Sequence, residues 1–325
     1  MNPALSVIFF TTLSGAGYGL LAWTAAWILL PYLQGHPPQQ GAMPLLWGIS
    51  LVLGLLLTTA GLLCSMFHLG KPARAWRAFS QWRSSWLSRE GVSAVLAAIA
   101  ALALLGLLAT PLFMHSYAAL QSPAVPLLAA IVLLTSVATI ACTAMIYASL
   151  KPIPAWRHAL VVPVYFAFAL LCGWLLLAAI ASWTALPVRT LAIAAVVTWV
   201  LAIVTAMLKR VYWRAIDRQP AAASRADAIG LPGREIGVFE RPHTEANYIT
   251  HEMGYVLARK HSRPLRLIAT YLFALVPMLA VGLGWAFPAL DAPLFTLAAM
   301  AALLGVFVER WLFFAQARHA VMAYY

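Results

Sequence analysis

The sequence predicts an all-α polytopic membrane protein, a bundle of eight transmembrane helices that makes residues 1–325 a single transmembrane domain. The composition is 63% hydrophobic and only 9% charged, with a mean hydropathy of +0.87. A water-soluble surface needs more solvated groups than that. The first charged side chain is Lys71, and charge disappears again between Glu90 and Lys151, between Arg157 and Arg189, and between Arg266 and Asp291. Apolar runs of the roughly 20 residues needed to cross about 30 Å of hydrocarbon recur along the chain. They fall at 5–32, 45–68, 91–113, 124–149, 159–183, 189–209, 265–287 and 293–315. The runs are continuous rather than alternating, which selects helices over an outer-membrane barrel.

Run one has no basic start and is too long for a cleavable signal peptide. Its TLSGAGYG stretch places Gly15, Gly17 and Gly19 on one segment, a pattern for close helix packing rather than a binding loop. Run two ends in CSMFHLG with His68. The segment 69–89, LGKPARAWRAFSQWRSSWLSR, predicts an amphipathic helix that starts near Pro72 and lies in the membrane interface. At α-helical spacing Trp76, Phe79, Arg83 and Trp86 share a face; a tethering loop with snorkelling arginines is the alternative. Glu90 opens run three, and Pro163 and Gly173 are kink candidates in run five. Segment 213–264 is the one long insert. Its front is rich in Ala, Pro and Gly, and its back predicts a helix with Ile249, Met253, Val256 and Leu257 on one side, suited to docking on a partner.

Net charge is +12, but the basic residues are divided among loops, so the charge does not signal nucleic-acid binding. The loops after runs two, four and six hold Lys71, Arg74, Arg77, Arg83, Arg89, Lys151, Arg157, Lys209, Arg210 and Arg214, and the tail holds Arg318. The alternate loops 33–44, 114–123 and 288–292 contain no Lys or Arg. The positive-inside rule puts both termini and the basic loops in the cytoplasm. The same charges would also serve to dock an acidic partner.

Ionisable groups at membrane depth are costly and tend to be functional. His68, Glu90, Glu309 and Arg310 all fall toward the basic face, bordered by Arg74, Arg77 and Arg89. An imidazole and a carboxylate at one interface suit binding a quinone carbonyl and moving its protons. His68 and Glu90 are therefore the candidate catalytic residues, with Arg74 and Arg77 as quinone-binding neighbours and Glu309 and Arg310 as a candidate proton path. Each has a plainer reading: an interfacial hydrogen-bonding histidine, a first-turn carboxylate held by the helix dipole, and a snorkelling ion pair.

Other cofactors fit poorly. A membrane haem needs two histidines at matched depth, and His36 and His115 lie on the face opposite His68. Cys64, Cys142 and Cys172 form no CxxC pair, and no P-loop or dinucleotide turn is present. A transporter is the rival class; it calls for polar groups at mid-membrane and broken helices.

The stretch SMFHLGKPARAW followed by SWLSREGVSA resembles the membrane-anchor subunit of dimethyl-sulfoxide-reductase-type molybdenum oxidoreductases. SVIFFTTLSGAGYGL and VERWLFFAQARHAVMA are similar to the ends of the same family, and HTEANYITHEMGYVLARKHSRPLR is most similar to the branch serving cytoplasmic sulfite-oxidising complexes. The resemblance implies an anchor for a molybdopterin catalytic subunit and a four-cluster ferredoxin-like iron–sulfur subunit. It implies electron exchange with ubiquinone or menaquinone, and no haem or iron–sulfur cluster in this chain. It maps the family's quinol-site histidine onto His68 and its important glutamate onto Glu90, and Arg74 matches its HLGxPxRA pattern. Sulfite oxidation with quinone reduction is the expected direction, and quinol oxidation for a dimethyl sulfoxide reductase is the alternative. The 213–264 insert is longer than in the simplest anchors of this family.

Overall fold

A computed structural model describes residues 4–36, 43–67, 69–114, 116–184, 187–218, 225–237, 239, 240, 245 and 261–323. Among these, eight helices are long and apolar enough to cross a membrane. We label them α1 (Leu5–Leu33), α2 (Met43–Met66), α3 (Trp86–Met114), α4 (Ala124–Ala148), α5 (Val161–Ser182), α6 (Val188–Arg218), α7 (Ser262–Ala286) and α8 (Asp291–Ala315). Consecutive helices alternate in direction, and across the long α6–α7 connection the Arg266–Asp217 ion pair sets the start of α7 beside the end of α6. The start of α1, the end of α8 and the basic loops therefore share one end of the bundle, called here the basic end.

The centre is α1 against α5. Of their apolar stretches 67% and 78% are buried, against 28–39% for the other six, so those six form the outer ring. Glycine makes the central contact possible: a Cβ at Gly19 would sit 1.8 Å from the Ala169 carbonyl oxygen, and one at Gly173 would sit 2.2 Å from the Gly19 carbonyl carbon. The expectation of close packing for the TLSGAGYG stretch holds at Gly17 and Gly19 but not at Gly15, and Gly173 is a packing site rather than a kink, since α5 runs unbroken. Indole N–H groups add cross-links that lipid cannot supply: Trp23 donates to the Leu170 carbonyl at 3.0 Å, and Trp199 to the Met278 carbonyl at 2.9 Å. In α7 Pro277 has no N–H to offer the preceding turn, and the chain adjusts there with a π-helical turn over Tyr271–Leu275.

Several boundaries differ from the sequence reading, three of them with consequences for the site and the insert. Run three begins at Trp86 rather than residue 91, so Glu90 lies in the second turn of α3 instead of opening it. Run six continues to Arg218, so residues 213–218 belong to α6 and not to the insert; the helix outlasts the apolar run because a turn beyond the hydrocarbon needs no lipid-compatible residues. Residues 262–264 likewise open α7. The segment Pro72–Gln81 is helical, but as a 3-10 helix. At three residues per turn the rows regroup: Trp76 and Phe79 align, and Arg74, Arg77 and Ser80 form the adjacent row. Arg83 lies beyond the end of this helix and Trp86 belongs to α3, so neither continues the aromatic face expected for them. The helix expected over the back of the insert, with Ile249, Met253, Val256 and Leu257, lies outside the described residues.

Candidate functional site

Each helix presents a stripe with three- and four-residue spacing toward its neighbours, and four of these stripes carry polar groups near the basic end. On α3 the stripe reads Glu90, Ser93, Ala97, Ala101, Leu104, Leu108; on α4 it reads Val132, Ser136, Thr139, Thr143, Tyr147. On α6 it includes Thr198, Ala202, Thr205, Lys209 and Tyr212, and on α8 Ala298, Ala302, Gly305, Glu309 and Leu312. The small residues let the helices approach, and the polar ones meet across the seams.

The α3–α4 seam carries Glu90. Its side chain is 3% exposed, and Thr143 Oγ1 donates to its Oε1. The same hydroxyl lies 2.9 Å from the Thr139 carbonyl oxygen. It therefore has two alternative acceptors. When Glu90 is ionised the Thr143 hydrogen points at the carboxylate; when Glu90 is protonated the carboxyl donates to Thr143, which turns its hydrogen to Thr139. One turn along, Thr139 Oγ1 donates to Ser93 Oγ at 2.9 Å and closes the seam.

The second polar group joins α6 to α8. Glu309 is fully buried and accepts ion pairs from Lys209 Nζ on α6 and from Arg310 beside it, whose Nε lies 2.6 Å from Glu309 Oε2. Lys209 is also fully buried and sits over the rings of Tyr212 (4.3 Å) and Trp213 (4.8 Å); Arg310 sits 4.2 Å over Tyr165. Above this triad the α4–α5 connection closes the bundle with aromatic rings. Trp156 stacks on Phe313 at 5.6 Å and donates to its carbonyl oxygen at 3.1 Å, while Tyr147 packs edge-on to both Trp156 and Phe313. Near the surface, Arg266 pairs with Asp217 at 2.6 Å and reaches Gln316 at 3.0 Å, tying α6, α7 and the end of α8 together.

A small cavity separates the two polar groups. Its walls include Thr11, Thr12, Ser14 and Tyr18 of α1, Thr143 of α4, Tyr165 of α5 and Arg310 of α8, and its volume is about 20 Å³. The donor to Glu90 and the partner of Glu309 thus face the same space. A larger groove of about 470 Å³ lies between α2 and α3 toward the other end of the bundle, lined by apolar residues such as Leu45, Val52, Leu56, Leu105 and Leu112.

The structure therefore brings Glu90 and Arg310 to one end of the bundle, with Arg310 and the Glu90 donor Thr143 lining one cavity. Arg74 and Arg77 are exposed on the 3-10 segment and form no ion pair with Glu90 among the described residues; Arg77 lies 5.7 Å from the Trp76 ring. Arg89 folds back onto its own loop, donating to the Arg83 carbonyl at 2.6 Å and stacking 4.3 Å from Trp86. His68 lies outside the described residues; its neighbour Phe67, at the end of α2, is 85% exposed. The plainer readings of the two glutamates do not survive: Glu90 is turned into a helix seam, and Glu309–Arg310 is fully buried rather than snorkelling. Lys209, a loop residue by sequence pattern, is the member of this buried polar group that sequence reasoning misses. Its position on the Thr198, Ala202, Thr205, Lys209, Tyr212 stripe is the signal that could have found it.

Residues 1–315 match the family described as DMSO reductase anchor subunit (DmsC). The chain is also 32% identical over 332 residues to a subunit of the sulfite dehydrogenase of Allochromatium vinosum, covering 100% of this chain and 99% of that protein. Full-length matches of this kind, on an eight-span helical bundle whose buried charged groups among the described residues gather at one end, place the chain in the DMSO reductase anchor subunit family.

Proposed function

We propose that this membrane anchor is the quinone-reactive subunit of a molybdopterin and iron–sulfur oxidoreductase, and that it passes electrons between a partner's iron–sulfur cluster and quinone. Sulfite oxidation with quinone reduction is the favoured direction, supported by the similarity to a sulfite dehydrogenase subunit along the whole chain. In this reading a four-cluster ferredoxin-like subunit docks on the basic end and holds the molybdopterin subunit in the cytoplasm. The exposed Arg74, Arg77 and Arg83 beside Trp76 and Trp82 offer that face charge and aromatic anchors.

The observation that carries the proposal is the Glu90 carboxyl, buried in a helix seam and held, among the described residues, by one neutral hydroxyl that serves either protonation state. Reducing a quinone consumes two protons with two electrons, so its site needs a group that gives and regains protons without rearranging its surroundings. Glu90 meets that need, and His68, just beyond the end of α2, is assigned to the quinone carbonyl. Arg74 and Arg77, exposed on the 3-10 segment, are assigned to the quinone headgroup from the surface side, and the apolar α2–α3 groove is assigned to the isoprenoid tail.

The test is a pair of assays on the assembled complex carrying His68→Ala. Quinone-linked turnover is expected to fall about 10²-fold, the scale of a lost general acid–base group. Turnover of the catalytic subunits with an artificial dye is expected to stay unchanged. Wild-type quinone kinetics in this variant would remove His68 from the site.

A further inference from the structure

We propose that the cavity between α1, α4, α5 and α8 is a water-binding site that serves as the proton partner of Glu90 through Thr143. This inference rests on the reading of Glu90 as the proton-exchanging group.

The size fits the ligand. A volume of about 20 Å³ holds one water molecule and is far too small for a quinone ring. The wall chemistry fits as well. Thr11 and Ser14 commit their hydrogens to backbone carbonyls of α1, at 3.0 Å to Val7 and 2.7 Å to Phe10, and so present acceptor oxygens to the cavity. Arg310 contributes a guanidinium, which only donates. Thr12 Oγ1 is buried on the same wall and has no hydrogen-bond partner among the described residues. Buried polar atoms are rarely left so, and a bound water satisfies it.

Gly15 is the second sign that the space is kept open. It sits inside α1 with ordinary helical φ, where glycine costs roughly 1 kcal/mol relative to alanine. Gly17 and Gly19 offset that by close packing, whereas a Cβ at Gly15 would meet nothing within 4 Å. Gly15 lines the cavity. Its missing side chain leaves room rather than contact.

The proton step balances. A water bonded to Arg310 accepts through its oxygen and turns its hydrogens outward, toward Thr143. A proton that reaches this water moves to Thr143 Oγ1 as the Thr143 hydrogen moves to Glu90 Oε1. The carboxylate becomes a carboxyl, the hydroxyl is regenerated and the water is left neutral. The reverse sequence discharges Glu90.

The experiment compares Thr143→Val, Thr143→Ser, Gly15→Ala and Glu90→Gln in the assembled complex, with dye-linked turnover and co-purification confirming an intact anchor. Two quantities are read: quinone-linked turnover, and the rate at which deuterium from heavy water exchanges into the Glu90 carboxyl, followed by its infrared carbonyl band. Thr143→Val removes the hydroxyl at constant shape and is expected to slow both about 10²-fold. Gly15→Ala puts a methyl group into the water's space and is expected to slow both in the same direction. Thr143→Ser is expected to restore wild-type rates. Wild-type exchange and turnover in both Thr143→Val and Gly15→Ala, with Glu90→Gln slow, would overturn the water site and leave the quinone reading standing. Wild-type turnover in Glu90→Gln would overturn the quinone reading, and the exchange rates would then judge the water site alone.

Discussion

Two carboxylates are buried at the basic end, and their surroundings differ in kind. Glu309 is gripped by two cations, Lys209 from α6 and Arg310 from its own helix, under a roof of aromatic rings. Among the described residues Glu90 has one neutral donor, Thr143, which lines a cavity. A carboxylate between two buried cations is a structural element. Its charge offsets theirs, and releasing it would leave both uncompensated in a medium of low polarity. A carboxyl held by one hydroxyl with a second acceptor in reach changes its proton at little structural cost. Position alone does not distinguish them, since both sit within two turns of a helix end on the same side of the bundle. Partner count does.

This contrast is open to breakage from either side. The largest effect is expected at the triad. Glu309→Gln leaves Lys209 and Arg310 without a counter-charge and should cost about 3–5 kcal/mol. The anchor's thermal midpoint in detergent and its recovery with partners are expected to drop together, and every activity that depends on assembly with them. Glu90→Gln is expected to do the opposite, with a midpoint within a few degrees of wild type and a quinone-linked turnover about 10²-fold lower. If Glu309→Gln assembles normally and loses only quinone turnover, the two roles are reversed.

Gly173→Ala probes the frame that both regions share. The added methyl would overlap the backbone of Gly19, so α1 and α5 must part. A destabilisation of about 1–3 kcal/mol is expected, visible as a lower thermal midpoint with parallel loss at both sites. The smallest effect belongs to Ser93→Ala, which removes the hydroxyl bonded to Thr139 one turn from Glu90. Interhelical hydrogen bonds of this kind contribute about 0.6 kcal/mol in membranes. A shift of that size with normal quinone turnover would show that the seam tolerates loss of a bond unless Glu90 itself is involved.

The spans were legible in the sequence because lipid imposes a length and a composition on any helix that crosses it. Helix ends were less so. Lys209 and Arg210 read as the exit from the membrane, yet α6 continues to Arg218 and Lys209 is buried. What neutralises Lys209 is Glu309, a residue 100 positions away on another helix, and no local pattern announces it. Glu90 was legible as an ionisable group at depth, but its donor was not. Thr143 belongs to a stripe of hydroxyls on α4 that reads equally well as self-satisfied backbone bonding. The 3-10 register of Pro72–Gln81 was also hidden, because its residues allow either period and only the fold selects three per turn.

The central claim is that Glu90, and not Glu309, exchanges the protons that accompany quinone reduction. Infrared difference spectroscopy of the assembled complex, recorded between its quinone-reduced and quinone-oxidised states, tests it most directly. The account predicts a carboxyl carbonyl band that appears and disappears with the redox change and is absent in Glu90→Gln. A band that persists in Glu90→Gln, or that vanishes in Glu309→Gln while that variant still assembles, would contradict it.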